Sequence, residues 1–66
     1  MDIVVNGAQK QVPENITALQ LLELLKVPPE RVVVELNMTI LKRAQLAGTL
    51  LKLNDKVEIV HFVGGG

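Results

Sequence analysis

A chain of 66 residues, of which 48% are hydrophobic, is long enough for one small domain, and a domain of that size buries only about 60% of the surface that its unfolded chain exposes. Seven basic and seven acidic residues cancel and are scattered along the sequence, which argues against a surface that binds nucleic acid. The sequence has no cysteine, so disulfides, thiolate zinc sites and a cysteine nucleophile are excluded.

The sequence predicts neither a membrane span nor a secretion signal. No apolar run approaches the roughly 20 residues that cross a bilayer. Met1 is followed directly by Asp2 and a strand pattern, and not by a basic and then apolar segment. We therefore expect a soluble cytoplasmic protein that does not contact a membrane and is a monomer on its own.

The chain opens with the pattern of a β-hairpin. Ile3 and Val5 recur at the two-residue spacing of a strand with one buried face. Asn6-Gly7 then gives a strong signal for a two-residue hairpin turn, and residues 8–12 are predicted to form the return strand. Pro13 cannot donate a backbone hydrogen bond to a sheet and is expected to close that strand.

The next segment predicts one amphipathic helix. Thr17 and Gln20 have the spacing of a capping box, and apolar residues follow at helical spacing, which predicts a helix over about residues 18–26. Pro28-Pro29 are expected to stop it. The residues expected to form the main core are Leu21, Leu22 and Leu25 from the helix and Ile3, Val5 and Val34 from the strands.

The second half of the chain predicts two or three further strands. They cover residues 32–36, 39–41 and 56–63. The first is apolar and β-branched except for Glu35 and Leu36, which is typical of a largely buried strand. Residues 43–47 favour a turn or a short helix that Gly48 ends. One helix across a mixed sheet of four or five strands buries both apolar faces, so we predict an α+β fold of the β-grasp type, with the last strand beside the first.

The sequence stops on three glycines, Gly64, Gly65 and Gly66, directly after the last predicted strand. Glycine has no Cβ, so such a run stays mobile in solution yet fits, extended, into a channel too narrow for any side chain. We expect a flexible tail over residues 64–66 on a β-grasp domain over residues 1–63. The Gly66 carboxylate could then enter a deep active site on another protein. The alternative interpretation is a frayed terminus or a linker.

No group of side chains predicts a catalytic or metal site in the chain itself. The single histidine, His61, lacks the partners of a metal site or a catalytic triad and is expected to be a surface or packing residue. Lys42-Arg43 is expected to be a solvated pair. A phosphate loop at the glycines would need a following helix, and the sequence ends there.

Taken in order, these motifs resemble the ThiS family of sulfur carrier proteins, which are small ubiquitin-like β-grasp proteins of thiamine biosynthesis. The resemblance runs from end to end. It includes Asn6-Gly7, the leucine-rich residues 18–25, the valine-rich residues 32–37 and the ending over residues 54–66. Residues 41–52 match too loosely to transfer any role.

The resemblance implies a protein substrate and not an enzyme. In that family a ThiF-type enzyme adenylates the terminal glycine with ATP, a sulfur donor converts it into a thiocarboxylate, and a ThiG-type thiazole synthase receives the sulfur. Carried over, Gly66 would hold the sulfur, and Gly65 and Gly64 would thread the partner active sites, although the family ending requires only two glycines. The partner would bind the ATP, and this chain would bind no cofactor and no metal.

Two alternatives stay open. Relatives with a similar fold and tail serve molybdopterin synthesis, cysteine synthesis or tRNA thiolation, but the molybdopterin carrier tends to have prolines just before its tail, and residues 60–63 have none. A plain β-grasp interaction module would not need a free glycine end, and fold alone does not determine function.

Side-chain parity along the last strand predicts a docking patch for the partner enzymes. If Val57 and Ile59 face the core, then Val60 and Phe62 face the opposite side of the sheet, and His61 points toward the helix side. Two large apolar side chains on an open face favour contact with a partner.

Overall fold

Five strands and one helix make up the fold in the computed structural model, which describes residues 1–62. The strands pair in the order β2-β1-β5-β3-β4, with β1 and β5 parallel and the other neighbours antiparallel. The strands are β1 (Asp2–Val5), β2 (Ala8–Gln11), β3 (Val32–Leu36), β4 (Thr39–Leu41) and β5 (Lys56–His61). The predicted mixed sheet, with the last strand beside the first, is confirmed. Strand β5 ends at His61, whereas the last strand was predicted to extend to residue 63. Residue 63, to which the domain was also predicted to extend, and the predicted tail over 64–66 lie outside the described residues.

The first hairpin turns at the predicted Asn-Gly pair. Asn6 and Gly7 both have positive φ, 49° and 82°, as the tight turn between twisted strands requires. The pairing of Val5 with Ala8 follows directly from this two-residue loop. Strand β2 ends one residue earlier than predicted, because Val12 leaves the strand, although its N–H still donates to the carbonyl of Met1 at 2.9 Å.

Helix α1 (Ala18–Leu24) begins with the predicted capping box. The N–H of Gln20 donates to Thr17 Oγ1 at 3.1 Å, and the N–H of Thr17 donates to Gln20 Oε1 at 2.9 Å. These reciprocal bonds satisfy two backbone donors that the first turn would otherwise leave without partners.

The helix ends two residues before the predicted limit and for a different reason. Lys26 adopts a left-handed conformation with φ of 59°, and the N–H groups of Lys26 and Val27 donate to the carbonyls of Glu23 and Leu22. This is the Schellman pattern, which usually has glycine at the left-handed position. Pro28-Pro29 follow the completed helix end, and residues Pro29–Arg31 form a short 3₁₀ turn that leads into β3.

The segment between β4 and β5 contains the short helical turn that the sequence predicted. A 3₁₀ helix covers Arg43–Gly48, and Leu46 within it is buried. The chain then passes Leu51, which is also buried, before β5 begins. This segment packs against α1 and covers the core on that side.

The core lies between α1 and one face of the sheet. Four of the six predicted core residues are buried, whereas Val5 and Leu25 are only partly buried and pack at its margin. The sequence did not predict the buried residues that the connecting segments contribute, such as Ile16, Leu46 and Leu51. The buried hydrophobic residues are Ile3, Val12, Ile16, Ala18, Leu21, Leu22, Val32, Val34, Leu46, Leu51, Val57 and Ile59. Among residues 1–62, no helix has the length and apolar character needed to span a membrane.

Candidate functional site

The last described residue, Phe62, is held to the sheet two residues before the glycine run. Strand β5 lies between β1 and β3, so it has hydrogen-bonded neighbours on both sides. Its pairing with β3 reaches His61 opposite Val32, and the Phe62 N–H donates to the carbonyl of Arg31 at 3.2 Å. The chain is therefore anchored up to residue 62.

The predicted alternation of β5 is confirmed. Val57 and Ile59 are 1% and 7% exposed, and they face the core. Val60 and Phe62 are 52% and 48% exposed, and they lie on the sheet face away from α1, which we call the outer face. His61 is exposed at the end of the strand.

The register of the neighbouring strands adds residues to the outer face that sequence reasoning did not assign. Val33 on β3 lies opposite Val60, and Ile40 on β4 lies opposite Glu35. Ile40 is exposed and Val33 is partly buried. Parity could have predicted Val33, because Val32 and Val34 are the core-facing residues of the same strand. The outer face thus carries four neighbouring apolar side chains, Val33, Ile40, Val60 and Phe62.

The side chain of Asn6 holds the middle of β5 against β1. The Ile59 N–H donates to Asn6 Oδ1 at 2.7 Å, Asn6 Nδ2 donates to the Ile59 carbonyl at 3.3 Å, and the Asn6 N–H donates to the Val57 carbonyl at 2.9 Å. The side-chain amide therefore forms the two hydrogen bonds with Ile59 that the backbone of a further strand residue would form beyond the paired Val5 and Val57. Sequence reasoning had assigned Asn6 only to the turn.

A second asparagine, Asn37, holds the beginning of β5. The Lys56 N–H donates to Asn37 Oδ1 at 2.9 Å, and the Asn37 N–H donates to the Lys56 carbonyl at 2.8 Å. Asn37 Nδ2 donates to Asp55 Oδ1 at 2.9 Å, and Asp55 Oδ2 accepts from the Lys52 N–H at 2.7 Å. Amides from both hairpin turns thus position the strand that precedes the glycines.

An apolar cavity of about 260 Å³ lies beside Phe62, at the edge of β3 where β4 has ended. Its walls include Val32, Val33 and Leu46, and Phe62 forms part of its rim. An ion pair between Arg43 and Glu30, with 4.0 Å between nitrogen and oxygen, lies at the same cavity. Both of these side chains are more than half exposed, so the pair contributes little to stability.

Residues 1–62 contain no cluster of histidine or acidic residues that could hold a metal ion, and no buried polar or charged side chain. The predicted sulfur-carrying Gly66 and the predicted threading residues Gly64 and Gly65 lie outside the described part of the chain. Within the described part, the candidate site is therefore the outer face together with the anchored end of β5.

The order of motifs along the chain agrees with that of a known protein family. The model of the ThiS family matches residues 3–66. The chain belongs to the ThiS family. The match includes the three glycines, Gly64, Gly65 and Gly66.

Solved ThiS structures have the same fold. The crystal structure of the thiamine biosynthesis protein ThiS from Geobacter metallireducens is 40% identical, with a TM-score of 0.88 over the whole of both chains. A solution structure of a thiamine biosynthesis protein from the same organism is also 40% identical, with a TM-score of 0.83 over all of this chain and 88% of that one. The ubiquitin-like β-grasp prediction is thereby confirmed.

Other relatives of this ThiS-family chain include much longer proteins. Thiazole synthases from Magnetococcus marinus and Paramagnetospirillum magneticum are each 36% identical over all 66 residues, which are 20% of their own length. The chain therefore spans about a fifth of these relatives. The protein ycf40 of Porphyra purpurea is 35% identical, and the match covers 93% of its length.

Proposed function

We propose that this chain is a sulfur carrier of thiamine biosynthesis, in which the Gly66 carboxylate becomes a thiocarboxylate that donates sulfur for thiazole formation. The observation that carries the proposal is the ThiS-family match over residues 3–66, because it includes the glycine ending as well as the fold. The chain is the substrate of its partner enzymes and supplies no catalytic group.

The chemistry requires activation because a carboxylate is a poor acyl donor. In a ThiF-type adenylating enzyme, a Gly66 carboxylate oxygen attacks the α-phosphorus of ATP, and pyrophosphate leaves. A persulfide sulfur from the donor system then attacks the acyl carbon, and AMP leaves. A thiol cleaves the remaining sulfur–sulfur bond, so that one sulfur stays on Gly66 as the thiocarboxylate. ATP and the reacting groups belong to the partners.

The glycines suit transfer between active sites. Three extended residues reach roughly 10 Å beyond the folded domain. Gly64 and Gly65 present no Cβ to the walls of a channel, so the acyl carbon of Gly66 can reach a buried site. The anchored end of β5 supports this proposal, because a fixed starting point sets the depth to which the tail reaches.

We further propose that Val60 and Phe62 contact the partner enzymes. Both side chains are exposed on the outer face, and Phe62 is only two residues before Gly64 in sequence. A partner that covers them orients the domain while its active site receives the tail.

The similarity to thiazole synthases supports thiazole formation as the recipient pathway. In those relatives, a segment that matches this entire chain accounts for a fifth of a thiazole synthase polypeptide. Joining two modules in one chain raises their effective concentration, which is useful where the modules act on one another. This observation favours the thiamine pathway over molybdopterin, cysteine or tRNA thiolation. Because adenylation consumes ATP, we propose that the protein acts in the cytoplasm.

Mass spectrometry of the intact protein tests the proposal. The chain is incubated with ATP, a ThiF-type enzyme and a sulfur donor. We expect a mass increase equal to the replacement of one oxygen by sulfur, located on Gly66 by fragmentation. A reaction without ATP is the control. If the complete mixture leaves the mass of the chain unchanged, the chain is not a sulfur carrier.

A further inference from the structure

Two carboxylates face one another across the outer face. Glu35 on β3 and Glu58 on β5 are direct cross-strand partners, and both side chains project from the side opposite α1. The Cα atoms of directly opposed residues in an antiparallel pair are about 4.5 to 5.5 Å apart. Like charges at that spacing destabilise a sheet. The isolated domain therefore carries a repulsion at the centre of its exposed face.

No ion pair among residues 1–62 involves Glu35 or Glu58. The ion pair found in that part of the chain joins Arg43 to Glu30, and it does not involve Glu35 or Glu58. Lys56 is two residues before Glu58 on the same side of β5, yet it forms no ion pair with either carboxylate among the described residues.

The carboxylates are bordered by apolar side chains. On the outer face, Val33 and Val60 form the next cross-strand pair toward the tail, and Ile40 lies opposite Glu35 on β4. A partner that covers these apolar groups excludes water from the same region. Charge interactions then strengthen, because the effective dielectric constant falls.

We propose that the outer face docks on a thiazole synthase surface that places an arginine between Glu35 and Glu58, with apolar side chains around it. This inference rests on the proposed function, and it adds the chemistry by which the recipient enzyme is recognised. A planar guanidinium donates several hydrogen bonds in a fixed geometry, so one arginine can bind two neighbouring carboxylates. The choice of thiazole synthase follows from the relatives in which a segment matching this chain is part of that enzyme.

The test compares two variants with the same change in net charge. Glu35→Gln/Glu58→Gln removes the pair on the outer face. Glu14→Gln/Glu23→Gln removes two exposed carboxylates that line a groove on the helix side. Affinity for a ThiG-type thiazole synthase is measured by titration calorimetry at low and high ionic strength, with the full chain.

We expect the outer-face variant to raise Kd about tenfold at low salt and to lose most of the salt dependence. The helix-side variant should bind within about twofold of wild type. The outer-face variant should also melt at the same temperature as wild type or higher, because it removes a repulsion. A loss of binding would then not be a loss of folding.

Unchanged affinity of the outer-face variant, or an equal loss in both variants, overturns the inference. The intact-mass assay separates it from the proposed function. If wild type forms the thiocarboxylate but the outer-face variant binds normally, the inference fails and the function stands. If wild type forms no thiocarboxylate but only the outer-face variant binds weakly, the function fails and the inference stands.

Discussion

Asn6 and Ile59 exchange two hydrogen bonds, one from the Ile59 N–H to Asn6 Oδ1 at 2.7 Å and one from Asn6 Nδ2 to the Ile59 carbonyl at 3.3 Å. A turn residue thereby completes the pairing of the first strand with the last. The consequence for function is that the strand leading to the glycines is held by residues more than 50 positions earlier in the chain.

Replacing Asn6 should separate its role in the hairpin turn from its side-chain hydrogen bonds to Ile59. Asn6→Gly keeps the positive φ of the turn but removes both side-chain bonds to Ile59, and we expect a loss of about 1 to 3 kcal/mol in the free energy of unfolding. Asn15→Gly is the matched control, because Asn15 also has positive φ, 64°, and donates or accepts no side-chain hydrogen bond within residues 1–62. Unfolding by denaturant measures the free energy of unfolding of both variants. Equal stability of the two variants would contradict the assigned role.

Leu22→Ala should destabilise the domain by about 2 to 5 kcal/mol, because the Leu22 side chain is fully buried between α1 and the sheet. Leu24→Ala on the same helix provides the comparison, since Leu24 is 51% exposed. We expect Leu24→Ala to cost well under half as much. Chemical denaturation of both variants checks the orientation of α1, and a loss below about 0.5 kcal/mol for Leu22→Ala would show it to be wrong.

Met38 occupies a position in the β3–β4 turn that suits glycine. Its φ is 72°, and its side chain is 93% exposed. A side chain in the left-handed region costs roughly 1 to 2 kcal/mol relative to glycine. We therefore expect Met38→Gly to be more stable than Met38→Ala by about 1 kcal/mol, because only glycine lacks the strained Cβ. Thermal unfolding compares the two, and a more stable alanine variant would contradict this explanation.

The parts of the fold that the sequence predicted well depend on local chemistry. The Asn6-Gly7 turn and the Thr17–Gln20 capping box involve residues close in sequence, so their spacing alone was informative. The end of α1 was predicted less well. Lys26 adopts the left-handed conformation there without being glycine, and nothing in its residue type indicates this.

The parts that were missed depend on register between distant strands. The pairing of Glu35 with Glu58 and the bonds between Asn6 and Ile59 require the position of β5 between β1 and β3. Parity predicted which side of β5 carries Val60 and Phe62, but not which residues of β3 and β4 lie beside them. The proposed docking surface was therefore predicted only along a single strand.

Phe62→Asp should weaken the activation of the tail without unfolding the domain. Phe62 is about half exposed on the outer face, two residues before the glycine run. We expect the rate of adenylation at limiting enzyme concentration to fall about tenfold or more, because a charge replaces an apolar contact at an interface. Leu53→Asp is the control at another exposed hydrophobic residue, outside the strands. Wild-type rates for Phe62→Asp in a folded protein would remove Phe62 from the docking surface.

Changes in the glycine run should affect thiocarboxylate formation according to their distance from Gly66. Deleting Gly66, or adding one alanine after it, should abolish the mass increase, because the acyl carbon must reach a set depth and a displacement of about 1 Å can cost on the order of a hundredfold in rate. Gly65→Val should act similarly, since it places a branched side chain inside the channel. Gly64→Ala should have a milder effect, because that residue lies nearer the channel mouth. Circular dichroism should show the same fold in every variant, because the core residues that the structure describes within residues 1–62 all precede the glycines. Normal modification of the protein lacking Gly66 would contradict the assignment of the sulfur to that residue.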